Sequence, residues 1–500
     1  MDSLIQIFSQ LLSPYGLLII SSGVAVGIFG GALPGISSTM TVALVATLTY
    51  SMDPLWAIMF LAATQVGSTY GGSISAVVLN IPGTPASAPT AIEGYQLAKK
   101  GEAEKALSIN VVSSFAGNTV GVILLLLVMP VMLRLAMLFG PWEMFWFAMF
   151  GLMICAKLSR AHFLKGLLAA CFGLLLSLVG VDPIWGVPRF TYGSTYLMDG
   201  IGLVPAMVGL FGMSEVFSSL KDCKYGQINL KGASLFQFAA WAKFKWMSLR
   251  ASVLGFIIGV VPGVGANIAC WIGYDHALSF SREKEKFGHG TIEGLVGSES
   301  ANNACVPGAY APLLVLGVPG DSVTAVVLGI LTIHGVQVGP NFLRNNPEFL
   351  YELAGALFMS GVLFLLIGTI IGRGIVKVLT APLPAIMAVV IVLCVIGAYS
   401  VNLQILDVYV MFFFGILGLI MRELKFPTAP LILGIVLGGE LADGNFRRAL
   451  MAGKGSFEPF LTRPISSVMV ALLLIILFME FIWPLIQTYW RKRKEADPTR

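Results

Sequence analysis

Four Pro-Gly pairs interrupt apolar stretches of this 500-residue chain, and small hydroxyl or amide residues flank them. The pairs are Pro34-Gly35, Pro82-Gly83, Pro262-Gly263 and Pro319-Gly320. Proline removes a backbone donor and glycine frees the backbone, so each pair is expected to break a helix. A helix that restarts beyond the break offers free N–H groups and a positive dipole end, which favour anions such as carboxylates. The freed carbonyls and hydroxyls could hold a desolvated Na⁺.

The breaks belong to motifs that occur twice in the same order. Pro262 lies 228 positions after Pro34, and the glycines before each proline have the same spacing. The three repeated motifs pair as follows: Gly27–Gly35 with Gly255–Gly263, Leu79–Gly83 with Leu316–Gly320, and Ile92–Gln96 with Ile333–Gln337. We therefore predict two internal repeats, which we expect to be inverted, each with Pro-Gly-broken or re-entrant helices. For any one break the alternative is a packing kink, common in membrane helices.

The composition indicates an all-α polytopic membrane protein. Hydrophobic residues make up 57% of the chain, charged residues only 11%, and the mean hydropathy is +0.86. A soluble domain carries about 25% charged residues. With ~20 residues per crossing, the apolar runs predict about 10–12 transmembrane helices.

Charge and spacing divide the chain into five segments. These are a first transmembrane repeat (1–217), a basic cytoplasmic linker (218–247), a second repeat (248–400), C-terminal transmembrane helices (401–490) and a basic cytoplasmic tail (491–500). The lysine and arginine excess of the linker and tail places both, and hence the C-terminus, on the cytoplasmic side. No lysine or arginine precedes Lys99, so the first apolar segment is predicted to be retained rather than cleaved.

Other function classes find little support in the sequence. It contains no GxSxG or HExxH motif, so we predict no enzyme and no metal site. It contains no Walker A sequence, so ATP is not expected to drive it, and no cofactor is predicted. The net charge of +5 follows from the positive-inside bias and calls for no nucleic acid. A secondary transporter is favoured, and a channel stays open as an alternative.

Two acidic residues stand inside the second broken stretch. Glu299 precedes an apolar segment that prolines interrupt at Pro307, Pro312 and Pro319, and Asp321 follows the last break. An ionisable group at membrane depth is a functional candidate by default. The alternative is that both lie in interfacial loops. Since no lysine or arginine falls within the broken stretches, an anion there would be held mainly by amides and hydroxyls.

The motifs resemble the large membrane subunit of tripartite tricarboxylate transporters (TctA-type). The similarity rests on GIFGGALPG and GFIIGVVPG, on YGGSISAVVLNIPGTPAS with AIEGYQLAKKG, and on ESANNA followed by LGVPGDSVTAVVLGILTIHGVQVGP. It implies a permease of the bacterial inner membrane that imports a tri- or dicarboxylate by alternating access, coupled to Na⁺ or H⁺. It also implies two partners, a small membrane subunit and a periplasmic solute-binding protein. The alternative is a stand-alone anion carrier or channel without a binding protein.

The candidate substrate- and ion-binding residues come from the breaks, their polar neighbours and the family's motif positions. They are Pro34, Gly35, Ser37, Ser38, Tyr70, Gly71, Gly72, Ser73, Asn80, Pro82, Gly83, Thr84, Pro262, Gly263, Asn267, Glu299, Asn302, Asn303, Pro319, Gly320, Asp321 and Ser322. Two places depart from the family's pattern: the first repeat reads PGISST, and Asp321 stands where a small neutral residue is expected. A carboxylate at 321 would repel an anionic substrate unless it were protonated or paired with a cation.

Overall fold

The computed structural model describes residues 7, 9–33, 36–158, 163–182, 184–219, 238–378 and 383–482. The first Pro-Gly pair (Pro34 and Gly35), most of the predicted basic linker and the whole basic tail lie outside the described residues. The described chain is almost entirely helical, with one short hairpin. The protein is an all-α polytopic membrane protein, as the composition predicts.

Twenty-two α-helices make up the described part of the chain. They are α1 Pro14–Ala32, α2 Ser38–Ala46, α3 Pro54–Leu79, α4 Ala88–Lys99, α5 Ala103–Ala136, α6 Pro141–Leu158, α7 Phe163–Ser177, α8 Leu203–Met207, α9 Ser214–Ser219, α10 Phe238–Ala242, α11 Lys245–Val260, α12 Ala266–Phe280, α13 Ile292–Leu316, α14 Ser322–Ile333, α15 Pro340–Asn345, α16 Pro347–Val378, α17 Leu383–Asn402, α18 Ile405–Glu423, α19 Thr428–Leu437, α20 Asn445–Ala452, α21 Glu458–Thr462 and α22 Pro464–Leu477. Strands β1 (Gly180–Val181) and β2 (Pro188–Arg189) pair antiparallel.

Four of the described helices are long and apolar enough to cross a membrane by length and composition. They are α1, α5, the Pro347–Gly368 part of α16, and α18. The described chain also has shorter apolar helices, among them α2, α7, α14 and α19. Many short helices are what Pro-Gly breaks produce, because each break divides a run that could otherwise span the membrane. The expected 10–12 crossings and the five-segment division stay predictions.

Local sequence explains where the helices begin. The Ser13 hydroxyl accepts a hydrogen bond from the backbone N–H of Gly16 and caps α1, whose first residue is proline. The Thr291 hydroxyl caps α13 in the same way, through the N–H of Gly294. These caps satisfy N–H groups that would otherwise be left without a partner at the helix start.

Small residues let two helix pairs pack with their backbones in contact. Helix α1 lies against α3, and α11 lies against α13. A Cβ added to Gly31 on α1 would stand 2.1 Å from the carbonyl oxygen of Ser68, and one added to Gly259 on α11 would stand 2.3 Å from that of Cys305. No larger residue fits at either place, which is the reason for close-packed glycines in membrane helices.

The same contacts recur at fixed offsets in the two pairs. Gly259 lies 228 positions after Gly31, and Cys305 lies 237 positions after Ser68. A second contact follows the same offsets: Gly71 on α3 abuts the Ile28 carbonyl, and Gly308 on α13 abuts the Phe256 carbonyl. The helix ends also correspond, since α3 stops at Asn80 (φ 58°, ψ 25°) and α13 stops at Gly317 (φ 67°, ψ 23°). This correspondence is what the predicted duplication would produce.

One part of the sequence interpretation is wrong. The prolines at 307 and 312 were expected to interrupt the apolar segment, yet α13 continues from Ile292 to Leu316 through both. Each proline removes only one hydrogen bond of the helix ladder. Within a membrane protein, neighbouring helices compensate for such losses. Helix α13 is enclosed on all sides, because every residue from Gly294 to Leu316 is buried.

Hydrogen bonds that involve a residue of each repeated Ile-x-Gly-x-Gln motif connect the two halves of the chain. The buried carboxylate of Glu93 on α4 accepts hydrogen bonds from the Tyr274 hydroxyl (2.7 Å) and from three backbone N–H groups of loop 288–291 (2.7–2.8 Å). At the matching place of the second half, Nε2 of His334 lies 3.1 Å from the Thr49 carbonyl oxygen. The repeated Ile-x-Gly-x-Gln motif therefore ties the halves together.

Candidate functional site

A cavity of about 610 Å³, lined by polar and apolar residues, lies where the starts of several helical segments meet. Three of its walls are the first residues of α2, α12 and α14. The fourth is the short 3-10 turn Pro85–Ser87 that leads into α4. All four follow the predicted Pro-Gly breaks. Each helix start carries N–H groups without an intrahelical partner, and together they make a positive electrostatic environment suited to an anion.

Hydrogen bonds between the two halves hold these helix starts together. The Thr39 and Ser322 hydroxyl oxygens lie 2.7 Å apart, joining the starts of α2 and α14. The amide Nε2 of Gln65 donates to Oδ2 of Asp321 at 3.0 Å. Within the first half, the Ser68 hydroxyl donates to that of Ser38 at 2.9 Å. The cavity wall is therefore shared between both halves of the chain.

Asp321 caps α14 while lining the cavity. Its Oδ1 accepts a hydrogen bond from the backbone N–H of Thr324 at 2.7 Å. The Thr324 hydroxyl oxygen in turn accepts one from the backbone N–H of Asp321 at 2.9 Å. This capping box accounts for an acidic residue at a place where the family's pattern suggests a small neutral one. Gln65, the partner of Oδ2, keeps its own amide oxygen buried and without a hydrogen-bond partner.

Seven of the predicted site residues line the cavity. They are Ser37, Ser38, Thr84, Gly263, Asn267, Asp321 and Ser322. They come from all four predicted breaks, which are far apart in the sequence. Their polar atoms are hydroxyl, amide and carboxylate groups, together with the helix-start N–H groups described above. The placement gives the predicted anion site a geometry, while binding itself stays a prediction.

A second polar cluster surrounds Glu299 in the protein interior. Glu299 on α13 is fully buried, and its Oε1 accepts hydrogen bonds from the hydroxyls of Ser73 (2.6 Å) and Thr90. Its Oε2 accepts one from the Ser114 hydroxyl at 3.0 Å. The three hydroxyls come from α3, α4 and α5, so four helices meet at this carboxylate. The expectation that Glu299 might lie in an interfacial loop is wrong.

The remaining predicted site residues line neither the cavity nor the Glu299 carboxylate directly. They are Tyr70, Gly71, Gly72, Asn80, Pro82, Gly83, Pro262, Asn302, Asn303, Pro319 and Gly320, while Pro34 and Gly35 lie outside the described residues. Tyr70 stacks on Phe364 with ring centroids 5.1 Å apart. Gly320 packs against Ala309 and the Gly259 carbonyl. For these residues the structure shows packing and helix termination.

Two cationic residues at the cavity escaped the sequence interpretation. Arg422, at the end of α18, and Lys425, in the turn that follows, both line the cavity and are exposed. In the sequence they stand close to Pro427, about 100 positions after the nearest predicted break. A Lys/Arg pair at the end of an apolar run directly before a proline was the available signal. Among the lining residues they provide two positive charges against the single negative charge of Asp321.

Nothing in the described part of the chain indicates a resident metal centre. No group of three or more His, Cys, Asp and Glu side chains comes together there. The side-chain atoms that contact the Glu299 carboxyl group are hydroxyl oxygens, which suit hydrogen bonding and hard cations rather than soft transition metals.

The comparisons with known proteins agree on one family. The tripartite tricarboxylate transporter TctA family matches residues 17–433. An uncharacterized 52.8 kDa protein of the TAR-I ttuC' 3' region of Agrobacterium vitis is 34% identical over 466 residues, which cover 93% of each chain. An uncharacterized protein of the TAR-II ttuC' 3' region of the same organism is 32% identical over 228 residues, 46% of this chain and 94% of its own. No solved structure matches. On these matches the chain belongs to the tripartite tricarboxylate transporter TctA family.

Proposed function

We propose that the chain is the large permease subunit of a binding-protein-dependent secondary transporter that imports a carboxylate. One observation carries this proposal: four helix starts and two cationic side chains surround a cavity in a membrane protein of this family. Both features attract negative charge, and the cavity volume suits a small polyanion such as a tri- or dicarboxylate. The driving force would be a Na⁺ or H⁺ gradient.

The family's name implies further subunits, and we assign this chain two partners. One is a small membrane subunit, and the other is a periplasmic solute-binding protein that delivers the carboxylate. The site of action would be the bacterial inner membrane, with the C-terminus in the cytoplasm. The recurrent contacts of α1 with α3 and of α11 with α13 support two duplicated halves, which would suit an alternating-access cycle.

Reconstituted uptake tests the proposal. The chain would be placed in liposomes with its small subunit, and labelled tri- and dicarboxylates would be added with and without a cognate binding protein. Each preparation would be measured with an inward Na⁺ gradient, a proton gradient or neither. We expect accumulation only when a gradient and the binding protein are both present, because the substrate must be delivered and then driven uphill.

The other outcomes contradict parts of the proposal in distinguishable ways. Accumulation without the binding protein would indicate a stand-alone carrier. Downhill flux that no gradient alters would indicate a channel. Failure to move any carboxylate, while a folded preparation is verified by size-exclusion chromatography, would overturn the assigned substrate class.

A further inference from the structure

The carboxyl group of Glu299 lies in an enclosed place. None of its surface is accessible, and the three groups that contact it are the neutral hydroxyls of Ser73, Thr90 and Ser114. Among the described residues, none of the ion pairs includes Glu299. An ionised carboxylate without a cationic partner is costly to bury. Hydroxyl donors offset only part of that cost.

Three buried asparagines on α13 and α5, the helices of Glu299 and Ser114, leave side-chain oxygens unsatisfied. Asn302 and Asn303 follow it by three and four positions on α13, which places them on the same helix face. Asn118 follows Ser114 by four positions on α5. All three are buried, and each side-chain oxygen lacks a hydrogen-bond partner.

The side-chain nitrogens of these three asparagines face backbone carbonyl oxygens. The Asn303 amide nitrogen donates to the Glu299 backbone carbonyl at 3.0 Å, and that of Asn118 donates to the Leu357 carbonyl at 2.9 Å. That of Asn302 lies 3.5 Å from the carbonyl of Ala86. With the nitrogens engaged, the oxygens are the groups left over. Buried oxygens without donors, on the helices that also carry Glu299 and Ser114, are candidate ligands for a cation.

We propose that this cluster is the Na⁺ site of the transporter, with Glu299, Ser73, Thr90 and Ser114 as its first ligands. All of these groups present oxygen atoms, which hard cations prefer. A single carboxylate balances one positive charge, so the arrangement suits a monovalent rather than a divalent ion. The inference rests on the proposed secondary transport and deepens it, because it names the coupling ion and separates its site from the anion cavity.

The two sites share one structural element. Ala86, in the turn before α4, lines the anion cavity, and its carbonyl faces the amide of Asn302. Thr90, one helical turn further along the chain, contacts Glu299. Thr90 and Ser73 contact Glu299 in this structure, so an ion bound beside them would hold Thr90 and the turn before α4 in place. That turn is also a wall of the cavity. Binding of the ion would in this way prepare the cavity for its anion.

Direct binding of ²²Na⁺ to the purified full-length chain tests the site without any substrate or partner. The wild type is expected to bind ²²Na⁺ saturably at pH 8, and Glu299→Gln is expected to lose that binding. Thr90→Val and Ser114→Ala each remove one ligand and are expected to weaken binding by about tenfold or more. The matched control is Ser360→Ala, since the buried Ser360 hydroxyl donates only to the Ala356 carbonyl of its own helix.

The proposal fails if the wild type shows no saturable ²²Na⁺ binding. It also fails if Glu299→Gln, Thr90→Val and Ser114→Ala, all monodisperse, bind as the wild type does. Thr90→Val keeps the shape of threonine, so it remains informative should the charge variant not fold. Sodium binding without carboxylate uptake would leave the site standing and contradict the proposed function. Uptake driven by protons alone, without ²²Na⁺ binding, would support the proposed function and contradict the sodium site.

Discussion

Lys425 and Arg422 are the side chains through which charge would act on a substrate. Both line the cavity and are exposed, and the helix starts that share its lining hold their N–H groups fixed in place. A flexible ammonium group can follow a carboxylate as it enters, whereas the backbone donors cannot move. The cationic pair would therefore contribute to capture, and the helix starts to final positioning.

Replacing Lys425 tests whether the cationic side chains contribute to capture of the substrate. Lys425→Gln is expected to raise the apparent KM for the carboxylate roughly tenfold, since a hydrogen bond to a charged group contributes about 1.5 kcal/mol. The maximal rate should change little if Lys425 acts in capture. Initial uptake rates across substrate concentrations measure both constants. Lys454→Gln, an exposed lysine that does not line the cavity, is the matched control. Equal KM values for the two variants would contradict the role.

The helix pair α1 and α3 shows what the repeated glycines do at the scale of elements. Gly31 brings the two backbones so close that a methyl group would stand 2.1 Å from the Ser68 carbonyl oxygen. That carbonyl belongs to a helix backbone and cannot rotate away as a side chain could. The spacing therefore sets the separation of α1 from α3, and α3 carries Gln65 to the cavity.

Gly31→Ala is expected to destabilise the folded protein by about 1–3 kcal/mol, because the helices must separate to admit the methyl group. Thermal unfolding followed by fluorescence-detected size-exclusion chromatography measures the loss. In the control, Gly439→Ala, the added carbon would have its nearest neighbour, the Ser177 carbonyl oxygen, at 3.8 Å. A melting temperature for Gly31→Ala equal to that of the control would show that the contact is not restrictive.

A loop outside the membrane-spanning helices is held by an ion pair that titrates. Asp182, beside the β1–β2 hairpin, accepts a hydrogen bond from the N–H of Ile184 at 3.0 Å and pairs with Arg447 on α20. The Ile184 N–H, followed by the Arg447 guanidinium, lowers the pKa of Asp182 below its ordinary value. The ionised form is thus favoured in the folded protein.

This shift predicts a dependence of stability on pH. The stabilisation is fully present above the unfolded pKa of about 3.9 and is lost as the pH falls through the lower, folded value. Asp182→Asn should therefore melt below the wild type at pH 7, and the difference should vanish in strongly acidic buffer. Melting curves between pH 3 and 7 measure this. Asp199→Asn, in an exposed part of the same loop region, is the control. A wild-type advantage that persists unchanged to pH 3 would contradict the assignment.

For the molecule as a whole, the helix breaks at Pro-Gly pairs were easier to predict from the sequence than the extent of the helices between them. Pro-Gly pairs act locally, through a missing donor and a free backbone, so their effect at Pro82 and Pro319 could be predicted from the residues alone. The continuity of α13 through Pro307 could not, because it depends on the helices that enclose it. A proline alone does not reveal which environment it will meet.

The candidate site was predictable in part for the same reason. Ser37, Thr84, Asn267 and Asp321 follow breaks, and the duplicated motifs suggested that the breaks would converge. Lys425 reaches the cavity from a segment that shares no motif with them. Its contribution arises from tertiary packing, about which a single sequence carries little information. The ligands around Glu299 likewise come from four separate helices.

The hydrogen bonds of Glu93 also have a consequence for the order of events during synthesis of the chain. Its acceptor sites are filled by the Tyr274 hydroxyl, 181 positions later in the chain, and by N–H groups from loop 288–291. A ribosome that adds about 5–20 residues per second needs roughly 10–40 s to make that stretch. Throughout this interval the newly inserted first half carries an acidic side chain whose partners do not yet exist. Water, lipid headgroups or an insertion chaperone must accommodate it until the second half arrives.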